Sequence, residues 1–231
     1  MPHSGTDNVG QPGLPTLLMA ETIGYSHICQ MLLAAAGKIR ENHEMLSRLD
    51  CAVGDGDHGT TILRTMEAVE KTVSENTGPD LKSLFSKVAW AVMSSDGGST
   101  GPLLGSFFMG MSDGAAGRND LDCAGVAAIF EAGIAKMQKQ SRAQIGDKTM
   151  MDAFLPALAA LKAADPAHGI SAVLQQAATA AAQGAEATKT MRAKFGRARN
   201  LGERSVGALD PGAMSVALIF DGFRAALAGE A

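Results

Sequence analysis

The densest group of chemically capable side chains lies between residues 49 and 61. There Asp50, Asp55 and Asp57 stand among Gly54, Gly56 and Gly59, with His58, Thr60 and Thr61 close behind. Three carboxylates within eight residues repel one another unless a cation sits among them. Hard oxygen ligands with room for water and phosphate oxygens suit Mg2+. An Asx-rich turn ending in a helix cap uses the same residue types, so residue type alone leaves both readings open. An EF-hand is excluded, because its twelfth position is Thr61 counted from Asp50 and Met66 counted from Asp55, not Glu. The stretch also fits G-x-G-x-x-G. No strand pattern precedes it, however, and carboxylates inside the loop oppose a bare pyrophosphate, which argues against a dinucleotide site.

Three other stretches carry polar chemistry. Ser94-Ser95-Asp96-Gly97-Gly98-Ser99-Thr100-Gly101 precedes Pro102. Pro102 suits a first helical position, and Ser99 or Thr100 can cap it. Glycines ahead of a helix N-terminus equally expose amides to an anion, and both readings stand. Residues 146–152 hold Lys148, which can meet a phosphate, and Met150, which can lie against a base; a solvated lysine and a core methionine are the plainer alternatives. Residues 194–204 form the most basic patch, with Arg197, Arg199 and Arg204 available to clamp phosphates, and Asp210-Pro211-Gly212 follows. Asp210-Pro211 also reads simply as an N-cap and first helical residue. P-loop and protein-kinase signatures are absent, as is a plausible nucleophile triad. Carboxylates for metal, with amides and arginines for phosphate, supply the positioning and electrostatics that phosphoryl transfer asks of a protein.

The elements that must position these residues read as helices. The 231-residue chain is 46% hydrophobic but only 4% aromatic, so Ala, Leu, Met and Val carry its apolar content. Leu81, Leu84, Phe85, Val88, Ala89 and Val92 follow the spacing of a helix with one buried face. Met151, Phe154, Leu155 and Leu158 repeat it, as do Val173, Leu174, Ala177, Ala178, Ala181 and Ala182. With segments at 17–47, 59–75, 102–116, 121–140 and 212–228, the pattern predicts about eight helices and no alternating strands. The expected organisation is a disordered leader over 1–16 and a single domain over 17–231. In an up-and-down bundle, loops 48–58, 94–101, 141–149 and 196–211 fall at one end and can form a single site.

Composition narrows the function classes. A net charge of −4 argues against nucleic acid, which needs a concentrated basic surface. No apolar run approaches the ~18 residues that span a bilayer, so no membrane is expected. Three scattered cysteines make neither a disulfide framework nor a zinc site, and a reducing cytoplasm is the plain expectation.

Taken in order, the loop motifs resemble those of the L subunit, or nucleotide-binding L domain, of dihydroxyacetone kinases. The matching pieces are Gly-Asp-Gly-Asp-His-Gly at 54–59, Gly-Gly-Ser-Thr-Gly-Pro at 97–102, Gly-Asp-Lys-Thr-Met at 146–150 and Gly-Arg-Ala at 196–198. Leu-Gly-Glu-Arg-Ser at 201–205 and Asp-Pro-Gly-Ala at 210–213 complete the set. Each is weak alone; six in order over roughly residues 17–228 are specific. Ser141 departs from the pattern, where a glycine is expected.

The resemblance implies an all-α, eight-helix antiparallel up-and-down barrel or bundle with a nucleotide, ADP or ATP, at one end. It implies that Asp50, Asp55 and Asp57 hold two Mg2+ ions, and that these residues and Arg197 serve catalysis. His58, Gly59, Thr60, Thr61, Ser99 and Thr100 would contact the phosphates or sugar. Met150, Arg197, Asp210, Pro211 and Gly212 would line the rest of the pocket. In this family the ketose sits on a different subunit or domain, so a partner subunit is expected. In one branch ADP is a fixed cofactor rephosphorylated by a phosphocarrier protein fed by phosphoenolpyruvate, and a separate short chain favours that branch. An ATP-dependent triose or tetrose kinase subunit and an adaptor for a transcription regulator are the alternatives, and association into a homodimer stays open.

Overall fold

The computed structural model describes residues 22–76, 78, 80–95, 98 and 100–229 of the chain. Its eight α-helices are α1 (Tyr25–Cys51), α2 (His58–Glu75), α3 (Leu81–Ser94), α4 (Thr100–Gly114), α5 (Cys123–Gln138), α6 (Met151–Ala163), α7 (Gly169–Ala187) and α8 (Pro211–Ala228). Short 3-10 segments occupy Pro166–His168, Thr188–Thr190 and Arg197–Ser205. Each helix packs on its neighbours in the chain, and α1 packs on α8 to close the ring. The expected all-α class and helix number agree with this architecture. The proposed leader lies outside the described residues.

The apolar spacing read from the sequence faces inward. Leu81, Leu84, Phe85, Val88, Ala89 and Val92 of α3 are buried, as are Val173, Leu174, Ala177, Ala178 and Ala181 of α7. Phenylalanines from four helices meet at the centre: the rings of Phe107 and Phe154 lie 4.9 Å apart, and those of Phe130 and Phe220 lie 5.3 Å apart. Each ring removed from water contributes about 1.5–3 kcal/mol, enough for these few aromatics to tie α4, α5, α6 and α8 together. Asp80 caps α3 and Asp122 caps α5 through backbone amides. All three cysteines are free thiols.

Three expectations need correction. Helix α1 was placed at 17–47, yet it starts at Tyr25 and runs to Cys51. Before it, Ile23–Gly24 forms a short strand, β1, paired antiparallel with β2 (Asp120–Leu121), which the absence of any alternating pattern concealed. The helix continues past residue 47 because Leu46 and Asp50, one turn apart, share its buried face. Finally, α8 is 18 residues long with mean hydropathy 1.2, apolar and long enough by composition to cross a membrane, against the expectation that no such run exists. Its apolarity is spent inside the barrel, where Val216, Ile219, Phe220 and Phe223 are buried and α1 and α7 pack beside it.

Close contact between α4 and α5 depends on Gly110. A Cβ there would stand 2.3 Å from the Ala132 carbonyl oxygen and 2.6 Å from Gly133 Cα. Gly110→Ala therefore forces two backbones apart. We expect it to cost about 1–3 kcal/mol in chemical denaturation; an unchanged midpoint would show that the two helices separate freely.

Candidate functional site

The four polar stretches do meet at one end of the barrel. They line a cavity of about 580 Å³, within the rough 300–1,000 Å³ range of small-molecule sites. Helices α2, α4, α6 and α8 all begin there: His58, Thr100, Met151 and Pro211, their first residues, are in its wall. Four helix N-termini, each with a positive partial charge of roughly half a unit, thus converge on the cavity, although several of their first amides are already held by Asp50, Thr149 and Asp210. Sequence reading offered helix starts after the first loop, at Pro102 and at Pro211; the alternation of an up-and-down ring brings them to one end.

Against this positive field stands the acidic cluster. Asp50, Asp55 and Asp57 offer carboxylate oxygens within 4.8 Å of one another. At that distance each ionised pair repels by roughly 1–3.5 kcal/mol between water-like and surface-like screening. Asp50 belongs to the last turn of α1 rather than to the loop in which it was placed. It is only 9% exposed, and its Oδ2 accepts the backbone N–H of His58 at 3.2 Å, which joins the end of α1 to the start of α2. Asp55 and Asp57 are open to solvent on the connecting loop. Arg197 pairs with Asp55 and lies 3.8 Å from Asp57, so its guanidinium supplies positive charge to the cluster. Gly59 is required one residue further on, because a Cβ there would fall 1.9 Å from the His43 carbonyl oxygen on α1.

The other expected residues divide. Thr61, Thr100, Met150, Arg197, Asp210 and Gly212 are in the cavity wall, together with His58 and Pro211. Gly212 lies against Met150, whose Cβ is 3.6 Å from where a glycine side chain would begin. Gly59 and Thr60 are not in the wall; Gly59 is packed on α1 and Thr60 is exposed. Ser99 lies outside the described residues.

Lys148 corrects a sequence expectation. Offered as a phosphate contact, it is instead 1% exposed, with a positive φ of 60°. Its ammonium donates to the Thr188 carbonyl at 2.7 Å and to the Ala208 carbonyl. Burial holds its pKa below the usual lysine value, opposed by Asp210 and Asp152 nearby. Lys148 thereby ties the loop before α6 to the loop before α8. Lys194 adds a second tie, donating to Asp147 Oδ1 at 2.7 Å, while Asp152 braces the loop before α6 from within, accepting the amides of Gly146 and Thr149 at 2.6 and 2.7 Å.

Asp210 is the N-cap of α8, accepting the Ala213 amide at 2.7 Å, as the plainer sequence reading proposed. It is also in the cavity wall. Its carboxyl is enclosed by protein although the residue keeps some surface at the cavity, and this burial pushes its pKa up to about 7. The Ala213 amide and the Lys148 ammonium pull the other way. His58 is shifted down, mainly by burial, against the opposing effects of Asp50 and the Pro211 carbonyl. Sequence reasoning missed Ser215, whose hydroxyl meets the His58 ring, and Thr188, whose hydroxyl accepts the Asp210 amide at 2.9 Å. Ser215 was recoverable in principle, since it follows Pro211 by one helical turn and so shares its face.

Residues 52–225 match the DAK2 domain. The chain belongs to the DAK2 domain family. It is 38% identical over 184 residues to the ADP-binding subunit DhaL of PEP-dependent dihydroxyacetone kinase 1 from Listeria innocua, covering 79% of this chain and 87% of that one. It is 33% identical over 174 residues to the corresponding DhaL of Escherichia coli, covering 75% and 83%. Among solved structures, the dihydroxyacetone kinase of C. freundii in complex with AMP-PNP and Mg2+ superposes with a TM-score of 0.68 at 26% identity. That alignment covers 96% of this chain but only 38% of the larger kinase.

The raised Asp210 pKa has a measurable consequence. Between about pH 4 and pH 7 the folded protein keeps a proton here that the unfolded chain releases, so this group's contribution to stability falls as pH rises. Asp210→Asn, which still caps a helix, removes that fall. Denaturation of both proteins across this range should show the variant gaining on the parent with rising pH. A flat difference would place the carboxyl at its ordinary pKa, and the opposite trend would place it below that value.

Proposed function

We propose that this chain is the nucleotide-binding subunit of a dihydroxyacetone-type kinase, holding an adenine nucleotide with Mg2+ and passing a phosphoryl group to a ketose on a partner subunit. One observation carries this reading: three carboxylates and four helix N-termini share one cavity. A carboxylate cluster alone would repel a polyphosphate, and helix termini alone need no acid beside them. Together they suit an anion that arrives with its cation.

Three hard oxygen donors within 4.8 Å fit a small divalent cation, and Asp50, Asp55 and Asp57 would hold it, as one ion or two. Bound there, Mg2+ would offset charge on the phosphates during transfer. The positive ends of α2, α4 and α8 would favour the same anion. Arg197 would clamp a phosphate with its planar fork, and Met150 and Gly212 would bound the base. Loop ties through Lys148 and Lys194 keep these groups in register, which transfer requires because donor and acceptor oxygens must come within ~3–3.5 Å.

The family resemblance implies that a histidine holds the ketose covalently; among the described histidines only His58 is in the cavity wall, and its Nε2 is engaged by Ser215. The ketose is therefore assigned to the partner. Ile145 and Phe195 are large, exposed apolar residues on the two loops joined by Lys194, and Phe195 is in the cavity wall; together they would offer that partner a surface. The L. innocua relative and a 39% identical Lactococcus lactis one are named as PEP- or PTS-dependent ADP-binding subunits, and the chain spans 87% and 88% of them. This supports ADP as a resident cofactor, rephosphorylated by a phosphoenolpyruvate-fed phosphocarrier. The AMP-PNP bound to the C. freundii enzyme supports exchangeable ATP as the second reading.

Reconstitution tests the proposal. The chain with MgATP and dihydroxyacetone should make no sugar phosphate. Adding a ketose-binding subunit, phosphocarrier and phosphoenolpyruvate should give product, and undiminished activity with ATP and no phosphocarrier would select the second reading. Arg197→Ala should slow transfer at least ~10-fold, with only partial recovery by Lys. Ile145→Asp should weaken partner-dependent turnover while ADP binding persists. Robust phosphorylation by the chain alone would overturn the division of labour.

A further inference from the structure

The hydrogen bonds around His58 point to a residue that neither the loop motifs nor the family likeness singles out. His58 Nε2 lies 2.8 Å from Ser215 Oγ. The Ser215 hydroxyl, buried at 3% exposure, donates to the Pro211 carbonyl at 3.0 Å, one turn back along α8. A serine hydroxyl has a single proton. With that proton committed to Pro211, Oγ can only accept from the imidazole, so Nε2 must carry a proton. Turning the ring over would press a C–H against Oγ at a distance suited only to a hydrogen bond. Nδ1 has no hydrogen-bond partner among the described residues.

We propose that Ser215 is a positioning residue of this site: by holding the Nε2 proton of His58 it fixes the ring's orientation and tautomer, leaving Nδ1 as the nitrogen offered to a ligand in the cavity. The ligand half of this proposal rests on reading the cavity as a nucleotide site; the proton's location does not. The effect is local to one face of α8. Pro211 opens the helix in the cavity wall, and Ser215, one turn on, reaches across to the first residue of α2. The two helix N-termini that flank the acidic cluster are thus joined by a single side-chain hydrogen bond. His58 N–H, bonded to Asp50, fixes the backbone of the same residue from the other side.

The experiment is NMR on the full chain with ring-15N histidine, near pH 8, where an imidazole is neutral. His58 is assigned by its loss in His58→Gln. The parent should show an exchange-protected ring proton on Nε2 of His58. Ser215→Ala should lose it, and Ser215→Thr, which keeps the hydroxyl, should retain it. In titrations with MgADP, Ser215→Ala should bind about three- to tenfold more weakly, the worth of one hydrogen bond, while its thermal midpoint stays close to the parent's. A proton on Nδ1 in the parent, or an unchanged Nε2 signal in Ser215→Ala, would overturn the proposal. Loss of the signal with unchanged MgADP affinity would overturn the positioning role. Failure of the parent to bind MgADP, with its Nε2 proton in place, would instead overturn the nucleotide reading and leave the tautomer assignment standing.

Discussion

Like charges held close together need something to hold them, and here that constraint is the crowding of Asp50, Asp55 and Asp57 within 4.8 Å. The surrounding structure can be understood as what makes this crowding tolerable. Asp50 is fixed on the last turn of α1 and takes a backbone hydrogen bond from His58. Arg197 brings a positive charge from a loop more than a hundred residues away. The remaining repulsion is available to favour a divalent cation, and four helix N-termini beside it favour that cation's anionic companion. A closed ring of helices is well suited to this task, because closure of α1 on α8 fixes the relative places of the loops at its end.

The rigidity of the site has a second source in a buried polar network behind the cavity. Lys148 joins the loop before α6 to the Thr188 and Ala208 carbonyls, Thr188 holds the Asp210 amide, and Asp152 braces the loop before α6 from within. Burying an ammonium and carboxylates is unfavourable by itself, and the cost is offset only because nearly every polar atom finds a partner. The same enclosure shifts Asp210 and Lys148 toward their neutral forms. Structural and ligand-facing duties therefore overlap on α8: Asp210 caps it, Pro211 and Gly212 bound the cavity, and Ser215 reaches back to His58.

Much of this was legible in the sequence. Helical spacing in α3, α6 and α7 is regular, and the up-and-down rule brings Asp50, Met150, Arg197 and Asp210 together although they are far apart in the chain. What stayed hidden has physical reasons. Two-residue strands such as Ile23–Gly24 are too short to show alternation. Asp50 looked like a loop residue because aspartate is a poor helix former, whereas its carboxylate bond to His58 and the burial of its face keep it helical. A lysine in a Gly-Asp-Lys-Thr turn reads as solvated or phosphate-bound; only the tertiary structure supplies the Thr188 and Ala208 carbonyls that enclose it. Ser215 carries no motif, since a serine on a helix declares nothing until its partner from another helix is known.

The central claim is that the carboxylate cluster and the helix termini act as one site, so that nucleotide and divalent cation bind together or hardly at all. Calorimetric titration of the purified, nucleotide-stripped chain with ADP, once with Mg2+ and once with a chelator, tests it most directly. The account predicts saturable binding with Mg2+ and a loss of at least ~100-fold in affinity with the chelator, the upper end of what paired sites show in coupling. Equal affinity in both titrations would contradict it and would leave the three aspartates as an acidic turn neutralised by Arg197.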